Sequence, residues 1–171
     1  MKLIPVAGAR PNFMKIAPII RAIATYNNTY GPPGVTRKNS IFLYGPTRSG
    51  KTTALKTIDD YLSTEKGVKV LRLDAEDLII ELVKSIRGTG DTKRFYHKFH
   101  DCDALLVDNV WVLQAKPKTT EQIFLLFTTL IDKGKLLIIT LDIPPATLSY
   151  GTKAVTELYE RGVTIEMKPR N

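Results

Sequence analysis

A chain of 171 residues, 43% of them apolar, is long enough for one compact domain with its own core. No run approaches the roughly 18 consecutive apolar residues of a membrane-spanning helix, so no membrane partner is expected. Of the net charge of +8, +6 falls in residues 1–40, which carry no acidic residue, so the excess is not a nucleic-acid footprint spread over the whole domain. The single cysteine, Cys102, excludes an intramolecular disulfide and fits a reducing, cytoplasmic compartment.

Residues 3–7 read as a short strand ending at Gly8, with Pro5 placing it at a sheet edge. Over residues 12–26, Phe13, Ile16, Ile19, Ile20 and Ile23 recur three and four apart, the apolar face of a helix that Pro18 kinks or shortens. Residues 27–40 are loop by composition. Residues 1–38 therefore form an N-terminal strand–helix segment and linker, and residues 39–171 the main domain. A basic, acid-free start also suggests an organellar transit peptide, but the proline-rich turns interrupt the helix that such a peptide needs.

Strands are then expected at 41–44, 69–73, 104–107, 136–140 and 163–167. Helices are expected at 51–63, from an Asp74 cap through residue 86, at 92–100 after a break at 88–91, and at 119–131. Apolar strands separated by helices argue an α/β fold with a parallel sheet covered on both faces.

Gly45-Pro46-Thr47-Arg48-Ser49-Gly50-Lys51-Thr52 follows the first of these strands and opens a helix, the setting that a phosphate-binding loop requires. Its glycines allow close backbone approach, and the helix N-terminus, through Thr53, presents N–H groups to phosphate oxygens. Lys51 is expected to reach the β- and γ-phosphates of ATP, and the Thr52 hydroxyl to ligate Mg²⁺. The second ligand, an acidic one, is Asp108, which closes the apolar strand Leu105-Leu106-Val107, 56 residues after Thr52. In hydrolysing proteins of this class a second acid follows; here it is Asn109, which orients water but takes no proton. ATP binding is thus expected, with an impaired hydrolytic step.

From residue 39 to about 169 the chain resembles the AAA+ ATPase core of the bacterial replication initiator DnaA, with DnaC-type helicase loaders as more distant kin. The matching segments are 41–52, 70–77, 82–87, 103–108, 119–124 and 134–145, in the family's order and spacing. The resemblance implies a three-layer P-loop fold with a five-stranded parallel sheet in the order 5-1-4-3-2. It implies that Asp142, at the end of the fourth strand, senses the γ-phosphate. It carries single-stranded DNA contacts onto Val83, Lys116 and Lys118, although Val83 equally suits the core and the two lysines a solvated turn. It also exposes departures. The arginine positions that reach a neighbouring subunit's ATP hold Ala154 and Leu158, with Arg161 a displaced candidate, and Ile143 stands where an arginine usually follows the sensor aspartate. No lid domain or helix-turn-helix domain is expected after residue 169.

Residues 1–20 resemble the first strand and helix of non-hydrolysing UDP-N-acetylglucosamine 2-epimerases, a match ending near residue 26. Val6, Gly8 and Asn12 there can border the adenine, as the start of the initiator domain does, and a fusion of two gene fragments explains the segment equally well. The implied function is an ATP·Mg²⁺-binding module of replication initiation or its regulation, with single-stranded DNA or replication proteins as candidate partners. The alternatives are a small-molecule kinase on the same scaffold and a non-catalytic interaction protein. His97, His100 and Cys102 match no zinc spacing. In the basic–aromatic stretch 93–99, Phe95 and Phe99 read as a buried stripe, and Trp111 reads as packing.

Overall fold

The computed structural model describes residues 39–64, 68–115, 117–147 and 153–168. The expected N-terminal strand and helix, with Val6, Gly8 and Asn12, and also Lys116, lie outside them. Among the described residues the strands are β1 (Ser40–Tyr44), β2 (Val70–Asp74), β3 (Ala104–Asp108), β4 (Leu136–Leu141) and β5 (Gly162–Glu166). The helices are α1 (Lys51–Ser63), α2 (Ala75–Thr89), α3 (Lys93–His100), α4 (Pro117–Asp132) and α5 (Lys153–Glu160), with 3₁₀ turns at Val110–Ala115 and Pro145–Thr147.

Every strand pair is parallel and the sheet order is β2-β3-β4-β1-β5, which is 5-1-4-3-2 read from the other edge. Alternate side chains go to opposite faces. Ile41, Leu43, Ala104, Leu106, Leu136 and Ile138 meet Ala54, Leu55, Ile58 and Leu62 of α1 on one face. Phe42, Leu105, Val107, Leu137 and Ile139 meet α2, α3 and α4 and Leu158 of α5 on the other. Cover on both sides is why the central strands read as continuous apolar runs rather than alternations. Asn39, itself buried, donates its side-chain amide to the carbonyls of Ile131 (2.7 Å) and Lys135 (3.0 Å), and so ties the start of β1 to the turn before β4.

Asp74 caps α2 as expected, accepting from the Glu76 N–H at 2.9 Å, with Glu76 and Asp77 in the first turn and Arg87 in the last complementing the helix dipole. The expected break at 88–91 is corrected. The helix runs through Gly88 and Thr89 and ends only where Gly90 turns left-handed (φ 75°), its N–H bonded to the Ile86 carbonyl. Glycine weakens a helix interior without ending it; a left-handed residue ends it. Helix α4 starts two residues before the expected 119, at Pro117, because a missing N–H is no loss in a first turn. The expected strand ends at residues 73, 107 and 140 each move one residue on, so that Asp74 and Asp108 are the last residues of their strands.

Phe95 and Phe99 are buried and pack edge to face with centroids 5.1 Å apart, while Tyr96 donates to the Gln122 carbonyl at 3.2 Å. The aromatic rings of residues 93–99 therefore serve the core. Trp111, expected to pack, leaves 42% of its surface exposed and the rest covered. Phe99→Ala is expected to cost about 3–5 kcal/mol of unfolding free energy, whereas Leu125→Ala on the exposed face of α4 should stay within about 0.5 kcal/mol. Urea unfolding monitored by circular dichroism checks both.

Candidate functional site

Parallel pairing brings the C-terminal ends of β1, β3 and β4 to one edge of the sheet, the usual place for a ligand in an open α/β sheet. A cleft of about 520 Å³ opens there, lined by residues of the phosphate loop, by Asp74, Asp108 and Asn109, and by Thr140 and Asp142. A larger hollow of about 670 Å³ lies between α2 and α3, lined by Glu81, Lys84, Arg94, His97 and Lys98, and holds none of the loop residues. Glu81 bridges Lys98 (2.9 Å) and Lys84 (3.8 Å) there, and the hydrogen bond from Lys98 holds its carboxyl below the ordinary range.

The loop's shape follows from two glycines. A Cβ on Gly45 would sit 2.1 Å from the Met167 carbonyl oxygen, so no side chain fits. Gly50 takes φ 90°, a conformation open to glycine, and leads directly into α1. Helix α1 has no side-chain N-cap and no acidic residue in its first turn, which leaves its N–H groups and positive dipole end facing the cleft. Arg48 departs from the usual rule, with φ 66° in a non-glycine residue, at a cost of about 1–2 kcal/mol.

Lys51 is only 8% exposed. Its ammonium donates to the Gly45 carbonyl (2.6 Å) and the Pro46 carbonyl (2.9 Å) and forms an ion pair with Asp142 (2.9 Å). Thr47 donates to the other Asp142 oxygen at 3.5 Å. Across the cleft, the buried Thr140 hydroxyl donates a short hydrogen bond to Asp108 and accepts the Asn109 N–H at 2.8 Å. The Asn109 N–H also reaches Asp108 Oδ1 at 3.0 Å. Asn109 itself sits at φ 58°, which asparagine tolerates better than most residues.

The expected site residues Gly45, Pro46, Thr47, Arg48, Ser49, Gly50, Lys51, Thr52, Thr53, Asp108, Asn109 and Asp142 thus belong to one loop–helix unit and the two strand ends that face it. Val83 lies elsewhere, on α2, half-buried against the core, and Lys118 is exposed in the first turn of α4. Arg161 pairs with Asp132 at 2.5 Å within this chain, and Leu158 is buried in the core. Two cleft residues were missed. Thr140 gave little signal inside an apolar strand. Asp74 closes a strand as Asp108 does, opposite it in register, but its local sequence signal is that of a helix cap. Burial raises the Asp74 carboxyl, against the lowering hydrogen bond from Glu76, and the charge of Asp108 adds to the rise.

Among the described residues no group of histidines, cysteines and acids is arranged to hold a metal alone. Cys102 is buried, donates to the Phe99 carbonyl at 3.1 Å, and has its thiol pushed up by burial. In the cleft, the Thr52 hydroxyl and Asp108 carboxylate form an oxygen-only donor set, which suits a hard cation such as Mg²⁺ that completes its shell with water and phosphate.

The family model of the bacterial DnaA ATPase domain matches residues 20–166, reaching back into the stretch read as N-terminal segment and linker. The chromosomal replication initiator protein DnaA of Campylobacter jejuni is 31% identical over 131 residues, 77% of this chain but 29% of that protein. Domain III of the Thermotoga maritima replication initiation protein DnaA superposes with a TM-score of 0.77 at 24% identity, covering 100% of this chain and 70% of that one. A replication initiator DnaA bound to AMPPCP and single-stranded DNA superposes with a TM-score of 0.74 at 23% identity, covering 95% of this chain and 48% of that one. This chain therefore spans less than a third of the length of that initiator relative. With its fold, its loop and strand-end geometry, and a sequence match across most of its length, the chain belongs to the bacterial DnaA ATPase domain family.

Proposed function

We propose that this domain binds ATP with Mg²⁺ in the loop-and-strand-end cleft and acts in replication initiation or its regulation, turning ATP over slowly. The observation that carries this reading is Lys51, a nearly buried cation held at the centre of a phosphate loop beside an uncapped helix N-terminus. A cation so placed loses solvation and needs anionic company, which phosphate oxygens supply. Binding ATP means exchanging the carbonyl and Asp142 contacts of Lys51 for contacts to the β- and γ-phosphates, and Asp142 is then placed to respond to the third phosphate. Thr52 and Asp108 would hold Mg²⁺, which would neutralise phosphate charge in the bound nucleotide. Thr140 fixes the Asp108 carboxylate in one orientation.

Slow turnover follows from Asn109. Its amide takes no proton from an attacking water, and its backbone N–H is already committed to Asp108 and Thr140. Single-stranded DNA is the second ligand we propose, through Val83, Lys116 and Lys118, in line with the initiator structure that contains it. That part rests on position, since Val83 is packed against the core.

Calorimetric titration with ATP and ADP, with and without Mg²⁺, is the test. Lys51→Ala should lose about 100-fold in ATP affinity, the worth of one or two charge-assisted hydrogen bonds; unchanged affinity would refute the assignment of the cleft. Thr140→Val should abolish the Mg²⁺-dependent gain in affinity and cost about 1–3 kcal/mol of stability, while Thr140→Ser should retain both. Asn109→Asp, which keeps a residue tolerant of φ 58°, should raise steady-state phosphate release at least about tenfold. No gain in a nucleotide-loaded mutant would remove Asn109 as the reason for slow chemistry.

A further inference from the structure

The cleft is short of positive charge. Its lining includes three carboxylates, Asp74, Asp108 and Asp142, against two cations, Lys51 and Arg48. Lys51 is already bound to two loop carbonyls and Asp142. Two other described arginines are engaged away from the cleft, Arg72 with Asp59 at 2.8 Å on the outer strand and Arg161 with Asp132, and Arg94 lines the separate hollow between α2 and α3. Arg48 differs in each respect. It lines the cleft, its side chain is exposed, and it stands in the middle of the phosphate loop, three residues before Lys51.

Its backbone makes the placement more telling. Arg48 holds φ 66°, a conformation that glycine adopts freely and arginine does not. A loop built only for backbone contact to phosphate would be better served by glycine here. An arginine kept at such a position brings something that glycine lacks, a planar guanidinium able to grip two phosphate oxygens at once.

Building on the ATP-binding reading above, we propose that Arg48 is a phosphate-sensing arginine supplied by the loop itself, which grips the terminal phosphate and makes the site prefer a nucleoside triphosphate to a diphosphate. The charge that triphosphate recognition needs then comes from within one chain, and the ATP-over-ADP preference does not depend on an arginine from a second copy.

The test compares ATP and ADP affinities, each with Mg²⁺, for the wild type, Arg48→Gly, Arg48→Lys and Lys51→Ala, at protein concentrations shown to be monomeric by light scattering. The expected result is an ATP-over-ADP preference in the monomeric wild type that falls about tenfold in Arg48→Gly, with ADP affinity unchanged. Arg48→Lys should keep part of the preference, having the charge without the fork. Thermal unfolding without nucleotide should show Arg48→Gly as stable as the wild type or more so, since glycine relieves the left-handed strain. A merely structural arginine predicts the reverse, an unchanged or improved ATP preference in the glycine variant, and that outcome overturns the proposal. A monomeric wild type with no ATP preference also overturns it. Wild-type ATP binding that survives Lys51→Ala would instead overturn the ATP-site reading beneath it, whatever Arg48 does.

Discussion

One nearly buried ammonium organises this domain. Lys51 begins α1, yet its side chain turns back to the carbonyls of Gly45 and Pro46 at the end of β1 and on to Asp142 at the end of β4. A cation taken out of water is tolerable only if its donors are used, and here they are used on two carbonyls of the loop and on the carboxylate just after β4. The loop cannot open away from the sheet without stranding that charge. The same contact sets the distance between the helix N-terminus and the strand ends, and so the width of the cleft.

The opposite wall is held by neutral means. Thr140 lies buried in β4, and its hydroxyl donates to Asp108 while accepting from the Asn109 N–H. This bond makes the carboxylate and the backbone after it a single rigid corner, which explains the left-handed turn at Asn109 (φ 58°). Asparagine and aspartate accept that turn more readily than most side chains, so the residue found after Asp108 has a local backbone reason apart from chemistry. Strand β4 and the residue that follows it thus carry the partner of Asp108 and a partner of Lys51, two residues apart, and join the two walls.

Much of this was legible in the sequence because it is written in local chemistry. The phosphate loop, helix α1 at residues 51–63 and the Asp74 cap all depend on residues within a few positions of one another, and each was found where expected. The apolar strands were also plain, since cover on both faces leaves no alternation to misread. What escaped depends on tertiary context. Thr140 is an ordinary strand residue until β3 lies beside it, and Asp74 is an ordinary cap until its register partner proves to be Asp108. The turn at Gly90 rather than Gly88 is a matter of which glycine takes positive φ, and composition does not tell them apart. Helix α5 is absent from the sequence expectations: Lys153–Glu160 is short, and the part of it that reaches the core is Leu158.

The close approach at Gly45 ties the site to the order of synthesis. The first loop residue lies against the Met167 carbonyl, and the Met167 N–H reaches the Tyr44 carbonyl at 2.6 Å, so the residue just after β5 forms the back wall of the loop. Strand β1 is also flanked by β4 and β5, the two strands made last, although it is itself the first of the five. As the chain leaves the ribosome, the loop is complete in sequence long before the surfaces that give it shape exist. Its folded shape therefore appears only when β5 has docked more than a hundred residues later, and the loop's geometry reports on the finished sheet rather than on the motif alone.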